Sequence, residues 1–262
     1  MAALCGYEVT LCVCPVFSYH RGYNNRVTTR RQNRAPTWGN NRAPTWKQKP
    51  GTHMGVPLRM GLIMNFLFHL YLSGNDPQLL TGNLMGDFVK GRIGDDYPPR
   101  LRNGIVLHRR IDSFAQNHPL FRQSRQRIDP CFGLWRGVLV DMFYDHLLAD
   151  EWQNWSPEPL QLYLARARGM VEANRIHLPE RLASLVPLIF EALLPSYVGL
   201  EGVARALERM SARVRRPNPL AGGAPELEKN ITGLRDDFRE FVPQVQRDVC
   251  RFLAEWSSDY RI

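Results

Sequence analysis

Residues 227–256 read LEKNITGLRDDFREFVPQVQRDVCRFLAEW, and in them Leu227, Ile231, Leu234, Phe238, Phe241, Val245, Val249, Phe252 and Trp256 recur three or four positions apart. That spacing draws one apolar stripe along a helix of about eight turns. Pro243 falls inside the stripe. Lacking an N–H and carrying a ring that crowds the preceding turn, it is expected to kink or break the helix. Upstream the same period returns. Asp76-Pro77 offers an N-cap and a proline at the first helical position, opening a helix expected to run through Leu79, Leu80, Leu84 and Phe88. Tyr97-Pro98-Pro99 punctuates the chain, and Leu101, Ile105, His108 and Asp112 then mark another helix. A further one runs from near Leu134 through Val138, Asp141, Asp145 and Leu148, and Ser156-Pro157 reads as a second cap-and-proline start. Segments near 180–194 and 199–215 are also expected to be helical. No stretch alternates with period two for long enough to suggest a sheet, so the fold class is all-α.

The 262 residues carry a net charge of +9, which resembles a nucleic-acid signal until it is located. Residues 1–63 hold nine basic side chains against the single acid Glu8, whereas 64–262 are nearly balanced. The positive field therefore belongs to the leader, and nucleic acid is not an expected partner of the body. The leader carries a short duplication, Asn33 to Trp38 and Asn41 to Trp46, and is rich in Pro, Asn, Thr and Arg. Without helical periodicity it reads as a disordered basic segment. Charge and apolar patterning both shift at Met64, so 1–63 is read as a leader or a start assigned too early, and 64–262 as the folded domain. No apolar run reaches about 18 residues, so no membrane span is expected. Five irregularly spaced cysteines argue for the cytoplasm.

Three places put ionisable groups on otherwise apolar helices. His108 and Asp112 lie four apart and share a face; they suit a metal, or a histidine bonded to a carboxylate within a structural helix. Asp141 and Asp145 also share a face, among Val138, Leu139, Val140, Met142, Phe143, Leu147 and Leu148. Burying two acids there is costly without a cation or an arginine such as Arg109 or Arg110. The third is Gly82-Asn83-Leu84-Met85-Gly86-Asp87-Phe88, whose glycines permit close approach of a helix or ligand. His69 and His146 complete a set of imidazoles and carboxylates of the types that bind divalent metals, and arginines beside it suit a phosphate.

Four segments in order, Met64-Asn65-Phe66-Leu67-Phe68-His69-Leu70, Gly82 to Phe88, His108-Arg109-Arg110-Ile111-Asp112 and Asp141-Met142-Phe143-Tyr144-Asp145-His146, resemble the successive motifs of the acyl carrier protein phosphodiesterases. The resemblance covers residues 64–262. It implies an HD-like helical fold and a manganese-dependent hydrolase of fatty acid metabolism. The implied substrate is holo-acyl carrier protein, from which 4′-phosphopantetheine is released. It further implies metal ligands among His69, His108, Asp112, Asp141, Asp145 and His146, a catalytic Asp87, and a phosphate held by Arg109 and Arg110. The basic groups Arg122, Arg125, Arg127 and Arg213, Arg215, Arg216 are candidates for docking an acidic carrier. A nucleotide phosphohydrolase of the same fold, or a non-catalytic helical binding protein that keeps the ion pairs, would use many of the same residues.

Overall fold

A computed structural model describes residues 66–259. The readings of residues 1–63 as a disordered basic leader, and of Met64 as the start of the domain, lie outside the described residues. Among those described there is no strand, so the all-α class holds. The chain runs through α1 (Phe66–Leu72), α2 (Pro77–Met85), α3 (Pro99–Asn117), α4 (Pro119–Arg127), α5 (Arg136–Asp150) and the short α6 (Trp152–Trp155). It continues through α7 (Leu160–Ala173), α8 (Glu180–Leu188), α9 (Leu194–Ser196), α10 (Leu200–Arg213) and α11 (Ala224–Asp259), with a π-helical turn, Ile189–Leu193, joining α8 to α9.

The stripe on α11 is the wall of the core. Leu227, Leu234, Phe238, Phe241, Val245 and Val249 are fully buried, and the helix packs on α3, α4, α5 and α10. It continues through Pro243 without ending. A proline inside a helix costs about 3 kcal/mol, and burial of Phe238, Phe241 and Val242 before it and Val245 and Val249 after it holds both halves in place. α5 is apolar nearly all round and is buried from Val138 to Ala149 except at Asp141. A helix of that kind belongs in the interior, and α5 packs against α1, α4, α10 and α11.

Helix starts follow proline chemistry. Asp76 accepts the Leu79 N–H at 2.8 Å and caps α2, with Pro77 at its first position. The start expected at Ser156-Pro157 is displaced: α7 begins at Leu160, with Pro159 at its N-cap position. Glu158 precedes a proline and is biased away from helical torsions, and Ser156 Oγ is spent on the Glu158 N–H. α2 also ends sooner than expected, at Met85. The chain turns there, the N–H groups of Phe88 and Val89 both reaching the Met85 carbonyl. Phe88 thus lies in the turn rather than the helix. α2 and α3 cross backbone to backbone: a Cβ on Gly82 would run into the Leu101 carbonyl, and one on Gly104 into that of Leu79. This contact places α2's Asn83 beside α3's His108.

Candidate metal centre

His69 projects from α1 and His108 from α3, both buried. Their rings stack with centroids 4.0 Å apart and planes 21° from parallel. The approach of His108 to α2 depends on Gly86, since a Cβ there would occupy the space of the His108 ring. Asp112, one turn along α3 from His108, faces both rings: Oδ1 is 3.2 Å from His69 Nε2 and Oδ2 is 3.4 Å from His108 Nε2. Asp87 joins from the turn after α2, 3.7 Å from His108 Nε2. The imidazoles form the floor, and Asp112, with its side chain 43% exposed, forms the open side.

The tautomers follow from Asn83. Its Nδ2 donates to the His69 carbonyl at 3.0 Å and to Ser73 Oγ at 2.8 Å. A carbonyl only accepts, so the orientation of the amide is settled and Oδ1 must be the atom facing His69 Nδ1 at 2.8 Å. His69 Nδ1 therefore carries a proton. His108 Nδ1 meets the Asn83 backbone carbonyl at 2.9 Å and carries one too. In the neutral imidazoles both Nε2 atoms then present lone pairs to carboxylate oxygens. His69 Nε2 is buried and makes no hydrogen bond. Lone pairs aimed at lone pairs need a proton or a cation between them, and metal-bound histidines are commonly held through the opposite nitrogen in this way.

The electrostatics agree. For His108, burial acts most strongly and downward, but contact with Asp87 and the charges of Asp112 and Asp87 more than offset it and hold the imidazolium above its ordinary range. Asp112 is pushed up by burial, yet contact with His69 and the charges of His108, His69 and Lys90 bring it below the usual carboxylate range. The donor set of His69, His108 and Asp112, whose ligand atoms lie within 4.8 Å of one another, can hold a metal ion.

The other expected residues fall in different places. Asp141 lies within electrostatic reach of the cluster: burial, then the charges of Asp112, Asp145 and Asp87, raise its carboxyl well above the usual range, with Arg125 opposing them. Asp145 is spent on the backbone, its oxygens accepting the N–H groups of Leu67 and Phe68 at 3.1 and 2.8 Å. It acts on the first turn of α1 as a capping carboxylate acts on a helix start. His146 Nδ1 meets the Tyr197 carbonyl at 2.7 Å, apart from the cluster. Arg110 makes a two-pronged pair with Asp248 of α11, at 2.6 and 2.8 Å. Arg109 is exposed and donates to the Val89 carbonyl at 3.0 Å. Neither arginine balances Asp141 and Asp145, the arrangement that stood as the alternative to a metal. Of the basic docking candidates, Arg127 is paired with Asp237, while Arg122, Arg213, Arg215 and Arg216 are exposed.

Two residues escaped the sequence reading. Asn83 stood inside a quoted motif, and its signal was a poor helix former in the middle of a buried turn. Lys90, 3.7 Å from Asp87 Oδ1, sits in a loop with no periodicity to flag it.

Comparison with known proteins identifies the family. The family model for acyl carrier protein phosphodiesterase matches residues 64–245. A protein of that name from Pectobacterium atrosepticum is 33% identical over 186 residues, 70% of this chain and 96% of the relative. One from Yersinia pestis is 32% identical over the same shares, and one from Salmonella dublin is 31% identical over 72% of this chain and 98% of its own length. No solved structure gives a significant match. With four motifs in order, an all-helical domain and a matched region of this extent, the chain belongs to the acyl carrier protein phosphodiesterase family.

Proposed function

We propose that this chain hydrolyses the phosphodiester of holo-acyl carrier protein, releasing 4′-phosphopantetheine and apo-carrier, with a divalent cation, manganese, held by His69, His108 and Asp112. The observation that carries the reading is the pair of buried histidine Nε2 atoms converging on one carboxylate, in a chain whose relatives bear the name of that activity. Such a cation supplies Lewis acidity toward a phosphodiester and makes water a competent nucleophile near neutral pH. Asn83 keeps the imidazoles in the tautomer that leaves Nε2 free. Asp145 holds the Leu67 and Phe68 N–H groups at the start of α1, and with them the position of His69, the next residue. Asp87 and Asp141 add carboxylates at the edge, as further ligands or as groups that handle the proton. The substrate enters from the side of Asp112, because both histidines are closed off by the core. In the balanced reaction a water oxygen joins phosphorus, the bond to the carrier's serine oxygen breaks, and that oxygen takes a proton.

We place the reaction in the cytoplasm on the irregular spacing of the five cysteines. Among the described residues no helix is long and apolar enough to cross a membrane. The test is incubation of holo-carrier with the full chain, with the carrier's intact mass measured with and without manganese. Conversion to the apo mass only with the metal supports the reading. An unchanged carrier, with free nucleotides hydrolysed instead, would transfer the site to a nucleotide phosphohydrolase.

A further inference from the structure

A phosphodiester brought to this cluster meets the carboxylate of Asp87 as well as that of the metal ligand Asp112, and a cation of the protein's own beside them favours its approach. Arg110 is committed to Asp248 on α11. The positive charge of Arg125 acts on Asp141, and that of Lys90 acts on Asp112. Lys90 Nζ lies 3.7 Å from Asp87 Oδ1, with its side chain 52% exposed. That separation is too long for a hydrogen bond, so the ammonium donors are not consumed by Asp87. The backbone that carries Lys90 is held down: Phe88 and Val89 pack on the core, their N–H groups bond to the Met85 carbonyl, and Arg109 donates to the Val89 carbonyl from α3. A half-exposed lysine on an anchored turn, at the open side of the metal centre and with its donors unspent, is placed for an anion.

We propose that Lys90 is the phosphate-binding residue of this site, its ammonium donating to a non-bridging oxygen of the scissile phosphodiester. The proposal rests on the phosphodiesterase reading and assigns to Lys90 the role that the family resemblance implied for Arg109 and Arg110. A lysine suits it as a compact point charge on a flexible stem that does not require two-pronged geometry. A Lys90 that only offset Asp87 would form a surface pair of little consequence.

The two roles separate in binding. Inorganic phosphate is titrated calorimetrically into the full chain in the presence of manganese, for the native protein, Lys90→Met and Lys90→Arg, and manganese alone is titrated into each. Loss of a charge-assisted hydrogen bond should weaken phosphate by about ten- to a hundredfold in Lys90→Met, with Lys90→Arg recovering most of it. Manganese affinity should not fall, since removing a cation beside the ligands relieves repulsion. Equal phosphate affinity in the native protein and Lys90→Met overturns the proposal, as does a native protein that binds no phosphate. A parallel fall in manganese affinity also overturns it, because Lys90 would then serve the carboxylates. If Lys90 governs phosphate binding but the native protein leaves holo-carrier intact, the functional reading fails and the phosphate site stands.

Discussion

Replacing Asn83 with alanine should weaken metal binding without abolishing it. The side chain makes three bonds, to His69 Nδ1 at 2.8 Å, to the His69 carbonyl at 3.0 Å and to Ser73 Oγ at 2.8 Å. Each is worth about 1 kcal/mol net, and leaving buried partners unsatisfied costs about 1–3 kcal/mol more. Since His69 and Ser73 are buried, a loss of about 3–4 kcal/mol in unfolding free energy is expected on this basis. Freed at Nδ1, His69 can rotate or change tautomer, and losses of supporting bonds of this kind weaken metal affinity about ten- to a hundredfold. His108 is braced by the Asn83 backbone carbonyl, which survives the substitution, so the effect stays below that of His108→Ala. Asn83→Asp sharpens the test. It keeps an acceptor for His69 Nδ1 but sets a carboxylate oxygen against the His69 carbonyl, and should destabilise as well. Denaturant unfolding gives the stability, and calorimetric titration of manganese gives the affinity. Unchanged manganese affinity in Asn83→Ala, with the protein folded, would refute the idea that this residue sets the imidazoles.

Other perturbations have equally definite outcomes. Asp145→Asn replaces one acceptor with a donor facing the Leu67 or Phe68 N–H and should cost about 2–3 kcal/mol in denaturant unfolding near pH 5. Burial pushes the Asp145 carboxyl up to about 8, against the N–H groups of Phe68 and Leu67 that pull it down. The folded form therefore holds a proton that the unfolded form releases, and native stability falls as pH rises from about 4 toward 8. The deficit of Asp145→Asn should shrink over that window, and a deficit that grows would contradict the assignment. Arg110→Ala leaves Asp248 buried without its partner, so stability should drop by about 1–3 kcal/mol while kcat per folded molecule holds. A collapse of kcat in folded protein would return Arg110 to the site. Manganese at about one hundred times its Kd should add about 2.7 kcal/mol of stability, lost again on chelation, and Asp112→Ala should lose most of that gain in thermal melts.

What the sequence made legible was whatever one helix decides alone. The stripe from Leu227 to Trp256, the Asp76-Pro77 cap and the shared face of His108 and Asp112 are properties of a local period, and the structure contains all three. Arg110, two places from His108, lies about 200° round the helix, on the side where it pairs with Asp248. The destinations of side chains were not legible. Asp141 and Asp145 share a face, yet one is drawn into the electrostatics of the cluster around Asp112 and Asp87 and the other caps α1, because the start of α1 happens to lie over only one of them. Asn83 acquires its role when the glycine crossing of α2 and α3 brings His108 to its carbonyl, a tertiary event with no local signature. Pro243 shows the converse, a local rule overridden by burial on both sides.

The metal site is tested by crystallographic location of the ion, from anomalous scattering at the manganese edge on crystals of the full chain grown with manganese. One strong peak is expected in contact with His69 Nε2, His108 Nε2 and an oxygen of Asp112, with Asn83 still bonded to both imidazoles. A peak away from those three side chains, or none under conditions in which the protein releases 4′-phosphopantetheine from the carrier, would contradict it.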